Sequence, residues 1–233
     1  MAESTEVLEE KKIEVKEREP LFSKKNKKLI SDPLDENNPI TIQVLGICSA
    51  LAVTVQMKAA VVMSVAVLFV LILANVSISL IRNLIPNRIR IIVQLVVVAA
   101  LVIVVDQVLK AYLFDVSKEL SVFVGLIITN CIIMGRLEAF ALGNKPWPSA
   151  LDAIGNSLGY GMVLVIVSFF KELFGSGKLF GFEIFGNATE QTGLYAMGYM
   201  DNGLMLLPPS SLILVAVYIW VQKIRNPSLI ESN

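Results

Sequence analysis

From residue 37 onward the chain alternates between long uncharged runs and short charged interruptions. Asn37 to Met57 is the first run, closed by Lys58, and Ala59 to Ile81 is the second, closed by Arg82. Ile91 to Val105 is the third and continues past Asp106 toward Tyr112. Leu120 to Gly135 is the fourth, closed by Arg136, and Ala153 to Phe170 is the fifth, closed by Lys171. Asn202 to Gln222 is the sixth, with Lys223 and Arg225 behind it. A helix needs about 20 residues to cross the hydrocarbon core. Three runs meet that on their own; the third and fourth are short and must draw on flanking residues. The pattern predicts an all-α integral membrane protein with six transmembrane helices over residues 39–222. Residues 1–38 hold eight Lys/Arg and ten Asp/Glu, which predicts a charged, mobile cytoplasmic tail. No apolar stretch follows its charged start, so it does not read as a signal peptide. Residues 223–233 read as a short cytoplasmic C-terminus.

Basic residues concentrate on one side of this six-helix path. The side with the tail, Arg82, Arg88, Arg90, Arg136, Lys145 and the C-terminus carries fifteen. The other side carries five: Lys58, Lys110, Lys118, Lys171 and Lys178. An excess of Lys and Arg marks the cytoplasmic face, so both termini are expected there. Helices one to three and four to six each make an odd number of crossings. Equivalent helices of the two halves would then run in opposite directions, as in inverted repeats, whose sites lie near the bilayer midplane.

Each half carries one cysteine. Cys48 lies mid-way along the first run, in Val44-Leu45-Gly46-Ile47-Cys48-Ser49-Ala50, and Cys131 toward the middle of the fourth, in Leu126-Ile127-Ile128-Thr129-Asn130-Cys131-Ile132. Gly46 lowers helix propensity by about 1 kcal/mol relative to Ala. Thr129 and Asn130 can bond nearby backbone groups instead of supporting a helix. Helices one and four are therefore expected to break near the cysteines. A break at membrane depth requires cover from protein or a cavity, and it exposes the partly positive N–H groups of a new helix start.

Composition narrows the chemistry. AVILMFWYC residues make up 55% of the chain and charged residues 17%, against ~25% charged in soluble domains, and mean hydropathy is +0.69. The formal net charge of zero excludes a strongly basic nucleic-acid binder. The absence of histidine removes His-based general-base catalysis, haem–His ligation and most zinc chemistry. Two cysteines are too few for a disulfide scaffold. On spacing alone three roles stay open for them: small packing residues, a disulfide with each other, or metal ligands. Two thiolates do not complete an iron–sulfur site, which takes four, so a second chain or copy would have to supply two more.

Several stretches resemble the D-type membrane subunits of the sodium-translocating NADH:quinone oxidoreductase family. Asn38-Pro39 with Ile42 to Val53 is one, and Val122 to Arg136 leading into Glu138-Ala139-Phe140 is another. Ser79 to Asn83, Arg90 to Gln94, Val104 to Gln107, Phe169 to Gly181 and Asn202 to Leu207 continue the resemblance across roughly residues 37 to 222. The long charged tail departs from the usual short one, and Glu183 to Asp201 is individual to this chain. The resemblance implies a subunit of a multi-subunit, bacterial inner-membrane oxidoreductase, not catalytic alone. It further implies that this subunit and a paralogous E-type partner of opposite topology each give two midmembrane cysteines to one shared [2Fe–2S] centre. Cys48 and Cys131 fall on the matching positions. The Rnf-type ferredoxin:NAD oxidoreductases contain a similar subunit and are the alternative, with a secondary transporter built on inverted halves as a rival of another class.

Other polar positions need weighing. Asp106 lies in an apolar stretch, and intramembrane acids are functional suspects; it is the candidate for a cation path, against a plain ion pair with a nearby base. Glu138 and Asp152 flank helices four and five. Gly155 and Gly159, four apart, allow close helix approach, either inside the chain or to a partner. Lys171 to Asp201 reads as a long outer loop. Gly175-Ser176-Gly177-Lys178 lacks the Ser or Thr of a phosphate loop, since Leu179 follows. No dinucleotide fingerprint occurs, so NADH and flavin belong to other subunits.

Overall fold

The computed structural model describes residues 24–34, 37–86, 88–112, 125–176, 178–179, 182–183 and 203–225. Helix α1, Lys24–Ser31, leads into a 3-10 turn, Asp32–Leu34, and α2 is short, Ile47–Val53. Helices α3, Met57–Ile81, and α4, Arg90–Tyr112, follow. Residues 125–128 are helical, and α5, Cys131–Arg136, widens into a π-helical turn, Leu137–Ala141. Helix α6 is the longest, Pro146–Ser176. A ribbon of β1, Lys178–Leu179, and β2, Phe182–Glu183, pairs antiparallel, and α7, Gly203–Leu206, precedes α8, Pro208–Arg225. The chain is thus almost wholly helical among the described residues. Among the described residues three helices, α3, α4 and α6, are long and apolar enough to cross a membrane, and they coincide with the second, third and fifth uncharged runs. The expected tail lies outside the described residues up to residue 23, as do residues 226–233 and most of the outer loop.

The core forms where α3 meets α6, the most extensive contact of any two elements. From α3 it takes Met63, Ala66, Val67, Val70, Leu71, Ala74 and Ile78, spaced three and four apart along one face. From α6 it takes Tyr160, Val163, Leu164 and Val167. Lipid tails are as apolar as these side chains, so close packing and hydrogen bonds must hold the helices together. The approach is close at Gly161, where an added Cβ would lie 3.1 Å from Cβ of Ser64. Polar bonds tie the end where α3 finishes and α6 begins: Asn75 Nδ2 donates to the Ser149 carbonyl at 3.0 Å and Ser79 Oγ to the Asn144 carbonyl at 2.6 Å.

Two features differ from the sequence reading. Helix α6 starts earlier than Ala153, at Pro146, where a missing N–H costs nothing, and it does not stop at Lys171. The Lys171 ammonium is buried and donates to Ser211 Oγ at 2.8 Å and to the Leu207 carbonyl at 3.5 Å. Glu172 accepts from the Met57 N–H at 2.5 Å, at the start of α3. With both charges engaged by neighbouring helix ends, the helix runs on to Ser176, and the outer loop begins later than residue 171.

The second feature is the membrane-proximal end of the charged tail. Residues 29–33 lie along α6 so closely that a Cβ at Gly155 would stand 2.5 Å from the Leu29 carbonyl oxygen. At Gly159 it would stand 2.3 Å from that of Pro33. Asn38 completes the seam, donating to the Gly159 carbonyl at 3.1 Å and accepting from the Ile40 N–H at 3.0 Å. The glycine pair of helix five therefore serves packing inside the chain.

Candidate metal-ligating site

A helix starts next to each cysteine: the second segment is interrupted at Thr129-Asn130 between helical residues 125–128 and α5, as expected, whereas the first is turns rather than helix over residues 37–46 and becomes helical only at Ile47. In the first segment the backbone turns through Val44 at φ 58° and Gly46 at φ 84° before α2 begins. Gly46 tolerates the left-handed region at little cost; a β-branched residue there is an outlier of a kind that clusters at functional sites. In the second segment Asn130 caps α5, its side chain accepting from the Ile132 N–H at 3.3 Å. Cys48 is thus the second residue of α2 and Cys131 the first of α5.

The fold brings these two starts together. The Cys48 thiol lies within interaction range of the Cys131 side chain and of the backbone N–H groups of Ser49 and Cys131. Both cysteines are free, and both are exposed at the surface of the chain. Leu45, in the first break, packs on Gly135 of α5, where an added Cβ would meet its Cδ1 at 3.0 Å. Two thiols side by side are half the donor set of a four-thiolate iron–sulfur site. Soft thiolates suit iron–sulfur chemistry and do not suit sodium, which takes hard oxygen donors. Among the described residues no group of three or more Cys, Asp or Glu side chains could hold a metal ion by itself. The two thiols present fit half of such a four-thiolate donor set.

One residue of this neighbourhood escaped the sequence reading. Tyr160 of α6 is fully buried, and its hydroxyl donates to Ser49 Oγ at 2.7 Å. It also accepts from Asn130 Nδ2 at 3.4 Å. Both partners lie far away in sequence, and nothing in the glycine-rich context of helix five signals the contact.

The acidic candidates are placed elsewhere. Asp106 accepts from Lys110 Nζ at 2.5 Å, one helical turn on. Glu138 pairs with Arg90 and accepts from Gln94 Nε2 at 3.1 Å. Asp152 holds Arg136 through both carboxylate oxygens, one at 2.9 Å from Nε, and accepts from Asn156 Nδ2 at 3.1 Å. Each carboxylate has a basic partner of its own, and Arg136 also lies over the Phe140 ring, 5.5 Å from its centroid.

The profile of one protein family, described as "Rnf-Nqr subunit, membrane protein", matches residues 26–219. Among curated proteins, the chain is similar to the D subunit of the Na(+)-translocating NADH-quinone reductase of Photobacterium profundum, with 54% identity over 211 residues. That alignment covers 91% of this chain and 98% of the relative.

Proposed function

Because the chain belongs to the Rnf-Nqr family of membrane subunits, we propose that it is the membrane subunit of a sodium-translocating NADH:quinone oxidoreductase that passes electrons across the bilayer. Its site is the pair Cys48 and Cys131, which ligate one side of a [2Fe–2S] centre completed by two cysteines of a paralogous E-type partner subunit. The observation that carries this reading is the meeting of two free, exposed thiols at the starts of two short helices. Such a centre, when bound, supplies a one-electron redox site at membrane depth.

The chain's own contribution is to make that depth tolerable for charge. Thiolates are costly in a low-dielectric setting unless hydrogen-bonded. Backbone N–H groups of Ser49 and Cys131 lie close to the Cys48 sulfur, and hydrogen bonds to ligating sulfurs tune reduction potential. Gly46 and Asn130 interrupt their helices so that these N–H groups are free of internal partners. The six-helix, inverted-half topology in the inner membrane, with both termini cytoplasmic, belongs to the same proposal. It places the two breaks at equivalent positions of oppositely running halves. Sodium dependence resides in the assembled complex, and NADH and flavin are held by other subunits.

Cys48→Ser and Cys131→Ser test the reading. Each is expected to abolish the iron–sulfur EPR signal, while flavins elsewhere in the complex stay reducible by NADH. Iron per complex is measured on material that retains both subunits, since ligand loss also weakens assembly. A full cluster signal with normal quinone reduction in either variant removes that cysteine from the ligand set.

A further inference from the structure

We infer that Tyr160 is the positioning residue that fixes Cys48 and Cys131 relative to each other. The inference rests on the ligand role proposed for the two cysteines. Tyr160 belongs to α6, whereas the cysteines belong to two other segments. Its two hydrogen-bond partners are the residues next to those cysteines: Ser49 follows Cys48 and Asn130 precedes Cys131. The bonds run in one direction. Asn130 Nδ2 donates to Tyr160 Oη, Tyr160 Oη donates to Ser49 Oγ, and Ser49 Oγ donates to the Gly46 carbonyl at 2.7 Å. The other end of the Asn130 amide caps α5. One chain of bonds therefore joins the residue that opens α2 to the residue that opens α5, with the phenol at its centre. The ring also sits against Gly46, where a Cβ would stand 3.0 Å from Cε2.

A pairwise contact could be lost without consequence for the thiols; this arrangement could not. If the phenol hydroxyl is removed, neither break is tied to the other through α6, and Asn130 Nδ2 is left without this acceptor in a buried place. Groups that hold ligands in register commonly govern metal retention by 10–100-fold, and chains of hydrogen bonds polarise one another. Tyr160 is accordingly expected to act on the spectroscopic properties and retention of the centre rather than on its formation.

The test compares the intact purified complex with its Tyr160→Phe form, and with Tyr112→Phe, a change at an exposed tyrosine. Tyr160→Phe is expected to load iron normally, to shift the EPR line shape and midpoint potential, and to lose iron to a chelator on the order of 10-fold faster. Tyr112→Phe is expected to match wild type. Wild-type line shape and iron loss in Tyr160→Phe overturn the inference. If Tyr160→Phe does not assemble, Ser49→Ala is measured in its place: the same shift supports the inference, and wild-type behaviour overturns it. A wild-type iron signal that ignores Cys48→Ser defeats the ligand reading instead. Positioning is then read from oxidant-driven crosslinking of Cys48 to Cys131 in the complex, which Tyr160→Phe slows several-fold; an unchanged rate overturns it.

Discussion

Gly46 and Asp106 show how differently single residues of one chain answer to the same apolar setting. At Gly46 the backbone is left-handed and the Tyr160 ring is in contact, so any side chain meets two penalties. An L-residue in that conformation costs about 1–2 kcal/mol, and the ring must also move. Gly46→Ala is expected to lower iron per complex more than Gly125→Ala, where an added Cβ meets nothing within 4 Å; equal iron contents would show that the turn is not critical. Asp106 lies opposite in character. Its carboxylate is engaged by Lys110, so the simplest account is that each charge neutralises the other near the end of α4. The paired Asp106→Asn/Lys110→Gln variant is expected to keep sodium-dependent turnover. Loss of sodium dependence in the pair would instead put the carboxylate on the cation path.

Among the elements, α6 governs the arrangement. It packs on α3, receives residues 29–33 in its glycine seam and sends Tyr160 to both helix breaks. Gly155→Ala and Gly159→Ala place a methyl group against backbone carbonyls, which do not rotate away as side chains do. Each is expected to destabilise the subunit by about 1–3 kcal/mol, read as earlier thermal loss of the detergent-solubilised complex, with no change in the cluster spectrum of what survives. Much of this was legible in the sequence. Uncharged runs located α3, α4 and α6 because helix length and bilayer thickness are linked, and Gly46 and Asn130 announced the breaks through backbone chemistry that acts locally. The start of α6 and its passage beyond Lys171 were not legible, because a lysine ends a span only if nothing at depth receives it. Here Ser211 and the Leu207 carbonyl do. Tyr160 was illegible for a related reason: its meaning lies in partners that only the fold brings near.

At the scale of the whole molecule, the asymmetry of basic residues sets one further expectation. Reporter fusions after residue 225 and between residues 184 and 202 should report opposite sides of the membrane, with the C-terminal fusion cytoplasmic. Matching signals would exclude the odd-crossing halves on which the inverted topology depends. The cysteine pair has a consequence of another kind, for the life history of the chain. Two neighbouring thiols that face outward are unprotected until a partner covers them, and thiols so placed are what oxidants convert to disulfides. Synthesis without the partner therefore sets docking against oxidation. On the ligand role proposed above, a chain oxidised to the Cys48–Cys131 disulfide has lost two hydrogens to the oxidant and, with them, the two thiolates the shared centre would take. On that reading, production in balance with the proposed partner is what keeps the pair reduced.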